Sequence, residues 1–118
     1  MSCFTGCSEL QSVPAELFKS SGAFTTVTKT AFNNIFKDCT SLTEVPAGLF
    51  DGFTLVTAFN DAFNGCASLT TLPAGLFATN TAVTSFTNVF KGCTSLKSIP
   101  EGVLGGLSKV TSFSGLFA

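Results

Sequence analysis

The chain has 118 residues, six lysines, seven acids, no arginine and a net charge near −1. A surface so close to neutral lacks the cations that release phosphate counterions, which argues against nucleic-acid binding. With 45% hydrophobic and 11% charged residues, charge-driven disorder is excluded too.

Histidine, tryptophan and tyrosine are absent, while phenylalanine occurs fourteen times. Without histidine there is no near-neutral acid–base side chain and the commonest metal ligand is missing, so most hydrolytic and metal-dependent chemistries fall away. From the first residue onward, no lysine-bearing leader followed by an apolar run is visible, and no stretch approaches the roughly 20 apolar residues of a membrane span.

Prolines at 14, 46, 73 and 100 and cysteines at 7, 39, 66 and 93 both step by 32, 27 and 27. Phenylalanines at 4, 36, 63, 90 and 117 keep these steps, and a second set at 32, 59, 86 and 113 runs at 27 throughout. Leu10, Leu42, Leu69 and Leu96 form a further column. A fixed period decides the architecture, because one unit cannot bury its own apolar face and must stack on its neighbours. The chain is therefore expected to be one domain, residues 1–118, of about four 27-residue coils. The five extra residues between Pro14 and Phe32 fall within 19–30 and predict a surface loop.

Within a coil, Phe86, Val89, Phe90 and Cys93 stand at i, i+3, i+4 and i+7, as do Phe32, Ile35, Phe36 and Cys39. That spacing predicts a short helix with one buried stripe, closed by Gly65 or Gly92 just before the cysteine. Ser68 to Pro73 predicts a short strand ended by proline, and Ala74 to Phe77 a single tight turn. The fold class predicted is an α/β repeat solenoid with a short helix and one or two short parallel strands per coil.

The run Phe63-x-x-Cys66-x-Ser68-Leu69-Thr70-x-Leu72-Pro73-x-Gly75-Leu76-Phe77, carried again by Phe90 to Pro100, resembles the BspA-like leucine-rich repeats of bacterial surface proteins. The resemblance covers essentially the whole chain. It departs from the commonest leucine-rich pattern in placing proline where a Leu-x-Leu-x-x-Asn would run. It implies a cell-surface or secreted setting, adhesion or ligand binding, and no catalysis.

The cysteines occupy apolar columns and read as small hydrophobes, so Cys39, Cys66 and Cys93 are expected to be free, buried thiols. In-register side chains point the same way, which makes the disulfide dihedral hard to reach. The acids, Glu9, Glu16, Asp38, Glu44, Asp51, Asp61 and Glu101, fall in different columns and form neither a glycosidase pair nor a calcium loop. No catalytic, cofactor-binding or metal-binding residue is expected. Phe24 and Phe53 break the column pattern, either packing under a loop or standing exposed. The threonines at 28, 57, 84 and 111 predict helix caps or hydrogen bonds between coils.

The functional expectation is a non-catalytic binding or adhesion module that recognises a protein or a glycan. Its ligand face would be the outward strand positions Gln11, Glu44, Thr71 and Ser98, with Ser12, Thr43, Thr70 and Lys97 beside them. This face is rich in hydroxyls and nearly uncharged, so long-range steering should be slight. The alternative is a structural repeat spacer, or part of a fibre or phage-like appendage. Both ends of the chain break inside a motif, which predicts a fragment of a longer array. The open ends would then be covered by flanking repeats or by end-to-end self-association.

Overall fold

The computed structural model describes residues 4–14, 32–51, 53–99, 102, 103, 107, 109–111 and 115. The expectations for the 19–30 insertion, Cys3, Phe24, Thr28, Pro100 and the phenylalanines at 113 and 117 lie outside these residues.

The periodic apolar residues are buried as the spacing requires. Phe32, Ile35, Phe36, Cys39, Phe59, Ala62, Phe63, Cys66, Phe86, Val89 and Phe90 are at most 1% exposed. Successive copies stack. Phe4, Phe36, Phe63 and Phe90 form a column with ring centroids 5.5, 5.5 and 5.7 Å apart and interplanar angles of 19°, 18° and 11°. Phe50 and Phe77 stack likewise at 5.7 Å, and Phe59 meets them edge-on at 4.8 and 5.0 Å. Offset stacks along each column and edge-to-face contacts between columns are the two arrangements the ring quadrupole favours, each contributing about 0.5–1.5 kcal/mol beyond area burial.

The predicted helix and strand are not there. No α-helix and no extended strand occurs among the described residues, where β-pairing is limited to single-residue bridges such as the parallel one between Ala58 and Ser85. The α/β solenoid of helices and strands is therefore corrected to a stack of coils made of consecutive tight turns.

The reason lies in two columns that the apolar stripe does not include. Asn34, Asp61 and Asn88 have φ of 62°, 58° and 57°, and Gly115 of the same column has 67°. Four residues further along, Asp38, Gly65 and Gly92 have φ of 61°, 83° and 75°, as does their equivalent Gly6 at 77°. A right-handed helix cannot contain a left-handed residue every fourth position. A positive φ at the third residue alone is what a type II turn demands, and Asn, Asp and Gly are the residues that tolerate it.

The backbone hydrogen bonds account for this run residue by residue. The N–H groups of Ala62, Asn64 and Cys66 donate to the carbonyls of Phe59, Asp61 and Phe63, each three residues back. The alternate N–H groups, on Phe59, Asp61, Phe63 and Gly65, donate to Ser85, Thr87, Val89 and Lys91 of the next coil at 3.2, 2.9, 3.0 and 2.8 Å. The N–H of Asn60 donates to the side-chain oxygen of Asn33 at 2.8 Å, and that of Thr87 to Asn60 Oδ1 at 2.8 Å. No N–H from Phe59 to Cys66 is left unpaired, which is what a buried backbone requires. Elsewhere on the coil the direction reverses. Thr43, Thr70, Thr84 and Thr111 donate their N–H back to Gln11, Thr43, Thr57 and Thr84.

Candidate functional site

The backward-donating ladder sets the register of the expected ligand face. The N–H of Thr43 reaches Gln11 O at 3.1 Å, and that of Thr70 reaches Thr43 O at 3.1 Å, so Gln11, Thr43 and Thr70 stand one above another. Ser12, Glu44 and Thr71 follow them directly in the chain, and Lys97 and Ser98 occupy the equivalent positions of the last described coil. All eight residues are exposed, while Val13, Val45 and Leu72 beside them turn into the core. Glu44 and Lys97 are the two charged groups of the set and offset each other.

Two of the exposed hydroxyls are already engaged. Thr43 Oγ1 donates to Gln11 O at 3.3 Å, and Thr70 Oγ1 donates to Thr43 O at 3.3 Å. Each threonine thus gives both its N–H and its O–H to one carbonyl of the preceding coil. A hydroxyl has one proton and two lone pairs, so the outward character of these two side chains is that of an acceptor. Thr84 Oγ1 makes the same contact to Thr57 O at 3.5 Å, a bond between coils rather than a helix cap.

The cysteine column is built from the turn run itself. Cys39, Cys66 and Cys93 are buried and free, and Cys7 is free and half-buried. Their thiols donate backward to backbone carbonyls: Cys39 to Phe4 at 2.9 Å, Cys66 to Phe36 at 3.1 Å and Cys93 to Phe63 at 3.1 Å. Burial pushes the Cys39 and Cys93 thiols up to about 11, and lifts Cys66 further above the usual thiol range. A nucleophile or metal ligand needs the thiolate, which this environment disfavours. Among the described residues, no group of three His, Cys, Asp or Glu side chains is placed to hold a metal ion.

Three features were not read from the sequence. Asn80 is wholly buried in a column shared with Phe53 and Leu107. Its Nδ2 donates to Phe50 O at 2.9 Å and Phe53 O at 3.3 Å, while its Oδ1 has no partner. Asn33 and Asn60 form the side-chain ladder described above; their repetition at 27 residues was the available signal. Leu55 is 53% exposed, whereas Phe53, for which both a packed and an exposed placement were open, is buried edge-on against Phe32 at 5.1 Å.

No helix among the described residues is long and apolar enough to cross a membrane. Compared with known proteins, the chain matches no family model and no curated protein.

Proposed function

We propose that this chain is a non-catalytic binding or adhesion module that recognises a protein or a glycan through its stacked, exposed face. The observation that supports it most is the register of Gln11, Thr43 and Thr70, fixed by backbone bonds of 3.1 Å, which presents outward side chains as a regular column. A rigid scaffold that holds exposed polar groups loses little conformational freedom on binding. The silenced thiols and the absence of histidine favour binding over catalysis, and six lysines without arginine disfavour nucleic acid. A cell-surface or secreted setting rests on the resemblance to BspA-like repeats.

The test is a binding screen of the full chain against glycans and extracellular proteins, repeated with Glu44, Thr71 and Lys97 changed together to alanine. Binding lost in the triple variant, with the thermal unfolding midpoint preserved, supports the assigned face. A partner bound with unaltered affinity by that variant places the site elsewhere. A role as a spacer or fibre element predicts no partner in the screen at all.

A further inference from the structure

We infer that the face takes a neutral, hydroxyl-rich linear polysaccharide, one sugar residue per coil, and rejects anionic polymers; this rests on the reading of that face as a binding surface. The chemistry follows from where the protons are. Thr43 and Thr70 each direct the hydroxyl hydrogen and the backbone N–H into the preceding coil. What Oγ1 offers outward is its lone pairs, held in a fixed rotamer by that bond. The Glu44 carboxylate, next in the chain to Thr43, adds acceptors to the same exposed strip. Gln11, Ser12, Thr71, Lys97 and Ser98 keep donors on the same exposed face, so a matched ligand brings donors to Thr43, Glu44 and Thr70 and acceptors beside them, as sugar hydroxyls do.

Charge narrows the class further. Glu44 and Lys97 leave the strip without net charge, so neither a polycation nor a polyanion has a field to follow. A phosphate, sulfate or uronate chain would set its oxygens against Thr43 and Thr70 oxygens and the Glu44 carboxylate, and like polarities face to face cost affinity. Sugar hydroxyls are neutral donors.

Repetition supplies the polymer. The two acceptors, on Thr43 and Thr70, lie one coil apart, about 4.8 Å where backbone ladders set the spacing, close to the advance per residue of an extended β-1,4-linked pyranose chain. Single contacts of this kind are weak, and affinity comes from engaging successive coils at once. The ligand is therefore extended, and a monosaccharide is a poor substitute.

The experiment is calorimetric titration of the full chain with cellohexaose, glucose and polygalacturonate at low and high salt. Cellohexaose is expected to bind at least about tenfold more tightly than glucose, with no dependence on salt, and polygalacturonate not to bind. Changing Thr43→Val and Thr70→Val together keeps the branched shape but removes both oxygens, and should weaken cellohexaose binding by about tenfold or more. Changing both to serine should restore it to within about threefold, with thermal unfolding showing that both variants are folded. Tighter binding of polygalacturonate, binding unchanged in the folded valine variant, or no binding of cellohexaose overturns the inference. If a protein partner is instead lost in the Glu44, Thr71 and Lys97 triple variant, the binding module stands and only the polysaccharide assignment falls.

Discussion

The Sγ of Cys66 lies 3.1 Å from the carbonyl oxygen of Phe36, thirty residues earlier, and Cys93 holds the same relation to Phe63. The same carbonyl of Phe36 accepts the N–H of Cys39 at 3.1 Å, so one oxygen joins a turn of its own coil to the thiol of the next. Conserving this contact needs a small donor of the length of a thiol. Cys66→Ser keeps a donor but shortens its reach and exchanges an apolar atom for a polar one in a buried place. Chemical denaturation should show a loss of about 1–3 kcal/mol.

The buried thiols give stability a definite dependence on pH. The folded pKa of Cys39 and of Cys93 is raised from 9.0 to about 11 by burial. Below pH 9 both states keep the proton and the contribution is fully present. Above it the unfolded chain releases protons that the folded chain retains, so stability falls as pH rises and is lost through about 11. Denaturation midpoints measured from pH 8 upward should decline over that window. Thiol titration of the native protein should be slow and become complete on unfolding.

The left-handed positions discriminate between residues by backbone alone. Gly65 has φ of 83°, and a Cβ added there would run into the Asp38 carboxylate of the preceding coil. Gly65→Ala should therefore destabilise by about 1–3 kcal/mol, through both strain and a clash that Asp38 must relieve. At Asn34, with φ of 62°, alanine should cost about 1–2 kcal/mol while glycine is nearly neutral. Unfolding curves of the three variants decide it.

These positions also show how far the sequence could be read. The i, i+3, i+4, i+7 stripe correctly identified the buried residues, because side chains spaced for one helix face are equally spaced for one side of a two-turn run. The helix did not follow, since periodicity reports which residues face inward and not the sign of φ between them. The deciding signal was in the polar columns: Asn34, Asp61, Asn88 and Gly115, and Gly6, Asp38, Gly65 and Gly92, contain only residues that tolerate positive φ. Gly65 and Gly92 were readable as helix ends, yet their equivalent is Asp38, and all three are turn residues. The exposure of Gln11, Ser12, Thr43, Glu44, Thr70, Thr71, Lys97 and Ser98 was legible from their place as polar pairs between apolar residues three apart, such as Leu42 and Val45 or Leu69 and Leu72, a spacing that also differs from the alternation of a strand. The direction of the Thr43 and Thr70 hydroxyls was not, because it depends on a carbonyl in another coil.

Asn80 makes the interior sensitive to charge. Its Nδ2 bridges two carbonyls while its Oδ1 lies buried and unpaired. Asn80→Asp would set a carboxylate against the Phe50 and Phe53 oxygens, so the side chain must take up a proton or the structure must open. The variant should be destabilised by more than about 3 kcal/mol at neutral pH and should recover as pH falls. Asn80→Leu, which matches the Leu107 of its column, should be the milder change.

The central claim is that alternate N–H groups of the Phe59–Cys66 run pair across coils rather than along a helix. Trans-hydrogen-bond scalar couplings measured by NMR in labelled protein report each donor and acceptor directly. The account predicts couplings from the amide nitrogens of Asp61, Phe63 and Gly65 to the carbonyl carbons of Thr87, Val89 and Lys91, matching bonds of 2.9, 3.0 and 2.8 Å. Couplings from Phe63 to Phe59 and from Asn64 to Asn60, the four-residue pattern of an α-helix, would contradict it.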